Sequence, residues 1–301
     1  MSDIANILGI NTIEKLNNKI LNEPRDLIYK SEQLHNLKIK EIADNIIDEK
    51  MIFIAGPSSS GKTTFANKLA NQLKTNFVPI IVSMDNFFVE RENTPLDNDG
   101  KPDYESIEAI DLNLFEDRFN KLLNGKNAEI PIYNFSTGKK EKGPLTKMEE
   151  NGILIIEGIH GLNPILTKNI DNNLIFRIYV EPQSSIVSSE LIRKARRILR
   201  DVQSRDISPL KTLEMWPSIS RGEKLNIFPY IKNADVIFNT HLTYEFAILK
   251  NGIINQLKDI NSKEAYEIVN FLNQFEEIDI NLIPKDSIIR EFIGGSIFYN
   301  Y

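Results

Sequence analysis

The chain has 301 residues, 41% of them apolar, and a formal net charge of −6. That length allows one large domain or two small ones with a full core, and the acidic balance argues against any general attraction to nucleic acid or an anionic membrane. The absence of cysteine excludes disulfides and thiolate metal sites; no apolar run is long enough to span a bilayer, Met1-Ser2-Asp3-Ile4 lacks the features of a signal peptide, and a cytoplasmic protein is expected.

In chain order, residues 1–50 read as a helical attachment. Ile39, Ile42, Ala43, Ile46 and Ile47 form a stripe at helical spacing that leads into the first strand. Five short apolar segments, 51–56, 78–84, 153–157, 174–180 and 234–239, have the character of buried strands. Amphipathic stretches separate them, and Asp111 is placed to cap a helix whose Leu112, Phe115, Phe119 and Leu122 share a face. This alternation predicts an α/β fold: a parallel sheet of about five strands, flanked by helices. The core is expected over 51–242, with a C-terminal helical extension over 243–301 packed on it. Within that extension, Tyr244 to Leu257 and the set Ala265, Ile268, Val269, Leu272 and Phe275 read as two helices, and 288–296 is apolar enough to dock. Two long segments have the character of functional loops. Residues 86–110 carry the turn-rich run Asn93-Thr94-Pro95-Leu96-Asp97-Asn98-Asp99-Gly100-Lys101-Pro102, and 129–147 form a Pro-containing, Lys-rich excursion of hairpin type.

Chemistry concentrates at Gly56-Pro57-Ser58-Ser59-Ser60-Gly61-Lys62-Thr63-Thr64, which fits the phosphate-binding pattern G-x-x-x-x-G-K-[ST] between a strand and a helix. The loop and the helix N-terminus point backbone N–H groups at an anion. Gly56, Ser58, Ser59, Ser60, Gly61, Lys62, Thr63 and Thr64 are therefore the expected triphosphate-binding residues, with Lys62 reaching the outer phosphates and the Thr63 hydroxyl on Mg²⁺. Glu157 ends the apolar strand Ile153-Leu154-Ile155-Ile156 and can serve the same cation, or it can simply cap a neighbouring helix. Asp85 follows the second strand by one residue. Ligands of open α/β sheets bind beyond the carboxyl ends of the strands, so Asp85, Glu157 and Lys62 are expected in one crevice. There Asp85 can take the proton of an attacking hydroxyl and lie near the metal; its plainer use is as a turn former. Arg193, Arg197 and Arg200 share a helix face, flanked by Arg196 and Arg205, with Leu191, Ala195, Ile198 and Val202 opposite. Such a helix can be a movable lid over transferring phosphates, spanning about 186–210, or an ordinary solvated face. His160 lies near the crevice. Trp216 reads as a packing anchor, and His35 and His241 as structural.

Together these segments resemble the uridine kinase and phosphoribulokinase family of P-loop kinases. The resemblance rests on the loop at 56–64, Met84-Asp85-Asn86-Phe87-Phe88, Ile130-Pro131-Ile132-Tyr133-Asn134-Phe135, Ile156-Glu157-Gly158-Ile159 and Arg196-Arg197-Ile198-Leu199-Arg200-Asp201, in the family's order across roughly 50–242. Pro102-Asp103-Tyr104-Glu105, Gly161-Leu162-Asn163-Pro164, Met215-Trp216-Pro217-Ser218 and Arg290-Glu291-Phe292-Ile293-Gly294-Gly295-Ser296 are similar to a bacterial uridine-kinase-like subgroup. That subgroup often carries an N-terminal module related to threonyl-tRNA synthetase. The chain is expected to lack that module and to keep only its connecting helix, around Glu32-Gln33-Leu34-His35. The resemblance implies a P-loop NTPase fold, ATP and Mg²⁺ as cofactors, and a small hydroxyl acceptor, a nucleoside such as uridine or cytidine. A sugar or polyol acceptor, or a regulatory nucleotide-binding module, is the alternative. It also implies roles: Asp85 as base with Lys62 and Arg200 catalytic; Tyr133, Phe135, His160 and Arg197 with Asp85 on the acceptor; Arg200 and Arg205 on ATP phosphates; Thr63, Glu157 and Asp85 at the metal. Typical members are homotetramers, so a homo-oligomer is an expectation. The chain departs from the family pattern at Asn134, where an aspartate is usual, near Gly138, where a pyrimidine-contacting histidine would fall, and at Asp206-Ile207, where a lid arginine would stand.

Overall fold

The computed structural model describes residues 4–97 and 99–298; Met1–Asp3 of the N-terminal reading and Asn98 of the turn-rich run lie outside the described residues. The chain opens with helices α1 (Ile4–Ile7), α2 (Ile13–Asn22) and α3 (Pro24–Asp44). Strand β1 (Met51–Ala55), helix α4 (Lys62–Leu73) and strand β2 (Val78–Ser83) follow. Helix α5 (Leu112–Leu123) is capped by Asp111, whose side chain accepts from the Leu114 N–H. The excursion at 129–147 is a hairpin of two nested antiparallel ladders: β3 (Ala128–Glu129) with β6 (Leu145–Thr146), and β4 (Ile132–Asn134) with β5 (Lys139–Glu141). Pro131 has no N–H to donate and stands where the first ladder breaks from the second. Next come β7 (Gly152–Glu157), β8 (Ile175–Glu181), α6 (Ser189–Ser204), α7 (Pro209–Asn226), β9 (Val236–Asn239), α8 (Glu245–Leu257), α9 (Lys263–Leu272) and the short α10 (Arg290–Ile293).

The main sheet runs β2-β7-β1-β8-β9, with every neighbouring pair parallel. All residues of β1 and β7 are buried, because helices cover both faces of the sheet; this is why these strands read as unbroken apolar runs. Successive side chains alternate between two cores. Met51, Phe53, Leu154 and Ile156 pack with Phe115, Phe119 and Leu122 of α5. Ile52, Ile54, Ile153 and Ile155 pack with Phe65 and Leu69 of α4 and with Ile39 and Ile42 of α3. A third cluster joins Leu16, Ile20 and Leu27 of the N-terminal helices to α6, α8, α9, Ile289 and Phe292. Two residues of the expected stripe, Ile46 and Ile47, lie past the end of the helix; Ile46 stays buried at 3% exposure. Helix α3 stops at Asp44, the helical period ends there, and Ile47 turns out to solvent at 71% exposure. Trp216 is buried, with its indole N–H donating to Glu190 at 2.7 Å. His35 and His241 are buried as well, with His35 Nε2 3.1 Å from the His241 carbonyl.

Candidate active site

The loop between β1 and α4 has the backbone that an anion site requires. Ser59 (φ 59°) and Gly61 (φ 89°) both adopt left-handed conformations, which turn successive N–H groups toward one side. At Gly56 a side chain is impossible: a Cβ there would lie 2.1 Å from the Val180 carbonyl oxygen of β8. Gly61 caps α4 without a side chain of its own, so no capping side chain from the loop takes the first N–H groups of the helix. Lys62 is buried and curls back on the loop, donating to the carbonyls of Gly56 (2.9 Å) and Pro57 (3.0 Å). Burial lowers its pKa, while the charges of Glu157, Asp85 and Glu291 oppose that shift. Thr63 is half-buried at the second position of the helix, and Thr64 is fully buried behind it.

Sheet register brings the acids to this loop. Glu157 ends β7 opposite Ser83 of β2 on one side and Ile54 of β1 on the other. Asp85 lies two residues past Ser83, in a short 3₁₀ turn. Burial, then the nearby Asp85 charge, pushes Glu157 up to about 7, against the pull of Lys62. Lys62, Asp85 and Glu157 therefore share one cleft at the carboxyl ends of the strands, the place where α/β sheets bind ligands. Two carboxylates side by side near a hydroxyl-bearing helix N-terminus suit a hard cation with oxygen ligands. Among the described residues no group of three or more His, Asp or Glu side chains is arranged to hold a metal alone. A cation here would be shared with phosphate oxygens and water, the usual Mg²⁺ arrangement.

Helix α6 is buried on both faces, so its arginines do not form the ordinary solvated face that the spacing also allowed. Arg193 pairs with Glu223 of α7. Glu223 also accepts from the Ser58 N–H at 3.1 Å, so it ties α7 to the loop. Arg197 bonds Ser58 Oγ and Asp201, and Arg200 lies 3.5 Å from both Ser58 Oγ and Asp201. Burial lowers Arg200 to about 9, with Arg205 and Arg197 adding to the effect. Arg205 caps the helix end, is 40% exposed and stands 3.7 Å from Asp201. Arg196, placed by the sequence on the flank of the stripe, is the most deeply buried of the five at 0% exposure. It forms a two-pronged pair with Glu245 and reaches the carbonyls of Ser59 (3.4 Å), Ser60 (3.3 Å) and Thr240 (2.9 Å). It braces the loop from beneath. Burial alone would raise Glu245; Arg196 and His241 outweigh it and hold that carboxyl at about 2.

On the far side of Asp85 lies an aromatic cluster. Phe88 packs edge-on to Tyr104, Tyr133 and Phe135 at centroid distances of 6.2, 5.6 and 6.4 Å. Tyr133 is buried and its hydroxyl has no partner, while Phe135 is 56% exposed. Beside Gly138 runs the Arg91 side chain, whose backbone N–H donates to the Gly138 carbonyl at 2.8 Å. His160 is 1% exposed, its ring nitrogens have no well-formed hydrogen bond, and burial lowers it to about 4, so the ring is neutral. The sequence reading assigned no role to Glu105. Its Oε2 is sealed from solvent and has no partner, and burial raises the carboxyl to about 7, with the charges of Arg197, Lys62 and Asp85 in reach. The Pro102-Asp103-Tyr104-Glu105 segment was visible in the sequence; the fold alone brings Glu105 near Arg197, Lys62 and Asp85.

A buried lysine and turned backbone donors at the carboxyl edge of a parallel sheet make up the nucleotide site of the P-loop NTPase fold. With acids on the adjacent strand ends and an arginine helix against the loop, the class is that of ATP-dependent phosphotransferases acting on a hydroxyl. Residues 51–246 match the model of the Phosphoribulokinase / Uridine kinase family, and the chain belongs to that family. It is similar to a uridine kinase of Lactobacillus helveticus, 32% identical over 155 residues that cover 52% of this chain and 69% of that one. A uridine kinase of Macrococcus caseolyticus is 28% identical over 188 residues, covering 62% and 86%. Among solved structures, a possible uridine kinase from Bacillus stearothermophilus aligns at a TM-score of 0.48 and 19% identity, covering 69% of this chain and 98% of that one.

Proposed function

We propose that the chain transfers the γ-phosphoryl group of ATP to the 5′-hydroxyl of a nucleoside, with uridine or cytidine as acceptor. The observation that carries this reading is the cluster of aromatic rings around Phe88, three residues past Asp85. Phe88, Tyr104, Tyr133 and Phe135 offer a ring surface suited to a flat base, while the unpartnered oxygens of Glu105 and Tyr133 suit hydroxyl groups. The uridine kinases among the relatives support the same class of acceptor.

In this reading the loop N–H groups hold the triphosphate, and Lys62 exchanges the Gly56 and Pro57 carbonyls for phosphate oxygens. Arg200 and Arg205 add positive charge along the phosphates, and Arg197 lies between loop and acceptor. Thr63 and Glu157, with Asp85, would hold Mg²⁺, which would supply charge neutralisation on the transferring phosphates. Asp85 accepts the proton of the acceptor hydroxyl as its oxygen attacks phosphorus. Tyr133 and Phe135 would form the base-facing wall, and His160, buried and neutral, would contact the acceptor.

The test is an acceptor screen with ATP and Mg²⁺ over nucleosides, sugars and polyols, read by ADP release. Uridine or cytidine should give the highest kcat/KM. Asn134 and the lack of a histidine at Gly138 set this pocket apart from the family pattern. Turnover of a sugar or polyol with no activity on pyrimidine nucleosides would replace the proposed acceptor and keep the chemistry.

A further inference from the structure

One of the N–H groups that α4 presents to the phosphate cleft is already engaged. Glu291 Oε2 accepts from the Thr64 hydroxyl at 2.8 Å and from the Thr64 backbone N–H at 3.3 Å. Thr64 stands in the first turn of α4, where a P-loop offers its backbone donors to phosphate oxygens. The Glu291 carboxylate is 5% exposed and lies close enough for its charge to act on Lys62, Glu157 and Arg200. Lys62 meanwhile is satisfied by the carbonyls of Gly56 and Pro57. In this state both the helix end and the loop's cation are occupied by the chain itself.

The segment that delivers Glu291 is firmly held. Ile288, Ile289 and Phe292 are buried at 1, 0 and 0% exposure. Arg290 donates to the carbonyls of Ile280 (3.0 Å), Ile283 (2.7 Å), Pro284 (3.4 Å) and Gly294 (3.2 Å). Lys68 of α4 bonds Asp286 at 3.0 Å, and the Arg196 guanidinium lies 5.0 Å from the centre of the Phe292 ring. A segment anchored in this way can release Thr64 only by turning the Glu291 side chain. A carboxylate and a phosphate need the same donors, and their like charges repel at contact distance.

We propose that Glu291 is an internal competitor for the nucleotide: its carboxylate holds the Thr64 N–H and hydroxyl when no nucleotide is present and must rotate away before a phosphate group can use them. The C-terminal segment thereby sets the affinity of a site built by the N-terminal half of the sheet. The inference rests on the reading of 56–64 as a nucleotide site, and the test separates the two.

Binding of MgADP to the full chain, followed by titration calorimetry, needs no knowledge of the acceptor. Glu291→Ala removes the occupant. Glu291→Gln removes the charge and keeps the shape, which guards against a variant that fails to fold. Both should tighten MgADP by about fivefold or more, the gain expected where the carboxylate holds Thr64 some four-fifths of the time. Glu291→Asp, which keeps the charge on a shorter arm, should tighten it less. Unchanged or weaker MgADP binding in both Ala and Gln variants, with a lowered urea midpoint, overturns the proposal and leaves Glu291 as a plain helix cap. If wild type binds MgADP and Lys62→Ala weakens it, that failure touches this inference alone. If wild type binds no nucleotide, the kinase reading fails and this inference falls with it.

Discussion

At Asp85 and Glu105 two acids flank the place proposed for the acceptor, and their environments give them different work. Asp85 faces Lys62 and Glu157 at the strand ends. Asp85→Asn should lower kcat by about 10²-fold or more, the usual contribution of a general base, while MgADP still binds. Turnover close to wild type on the best acceptor would remove Asp85 from that role. Burial raises Glu105 from its ordinary value of 4.5 to about 7. A carboxyl raised in the folded state holds a proton that the unfolded chain has released, so stability falls as pH rises between those two values. Above about 7 the penalty is fully present; below 4.5 it is gone. The ligand-free Glu105→Gln variant should therefore melt above wild type at pH 8, with the gap closing toward pH 5. A pH-independent gap in Tm would contradict the buried, unpartnered carboxyl. Asp85 was legible in the sequence because one residue separates it from a recognisable strand. Glu105 was not, because its pocket is made by residues from other elements, Arg197 of α6 and Gly222 of α7 among them.

Helix α6 shows what periodicity can and cannot decide. The spacing of four and three places Arg193, Arg197 and Arg200 together, and the structure brings them to Ser58 and its neighbours. It could not rank the arginines by depth, since burial depends on what lies opposite. For Arg196 that partner is Glu245, 49 residues on. Removing one member of a buried ion pair leaves the other charge uncompensated, which typically costs about 3–5 kcal/mol. Arg196→Met should lower the urea midpoint by an amount equivalent to that loss and weaken MgADP binding, because the Ser59 carbonyl loses its guanidinium donor and the Ser60 carbonyl keeps only the Thr240 hydroxyl. Adding Glu245→Gln should restore part of the stability. A loss below about 1 kcal/mol, small for a buried charge pair, would show that the pair is not the brace described.

Across the whole molecule, the N-terminal helices and the C-terminal segment belong to the same packing as α6 and α8. Leu16 of α2 is 2% exposed and lies in that cluster, far along the chain from the loop at 56–64. Leu16→Ala should cost about 2–5 kcal/mol in a single cooperative unfolding transition. A separate early transition, with the nucleotide site still intact, would show that residues 4–44 unfold on their own.

By itself the sequence determined the five strands of the main sheet, the helices between them, the phosphate loop and the order of the acids along the sheet. These are set by local spacing: a period of two or 3.6, a glycine where the backbone must turn, a carboxylate one step past a strand. It did not show that β2, read as buried, is an edge strand with Val78 44% and Ile81 38% exposed. The tertiary structure decided which charges meet. Glu223 ties α7 to the loop, Glu245 holds Arg196 beneath it, and Glu291 reaches Thr64 across 227 residues of sequence. Hydrogen bonds and charge pairs act over a few ångströms of space whatever the distance along the chain, so only the closed fold could assign the partners of this cleft.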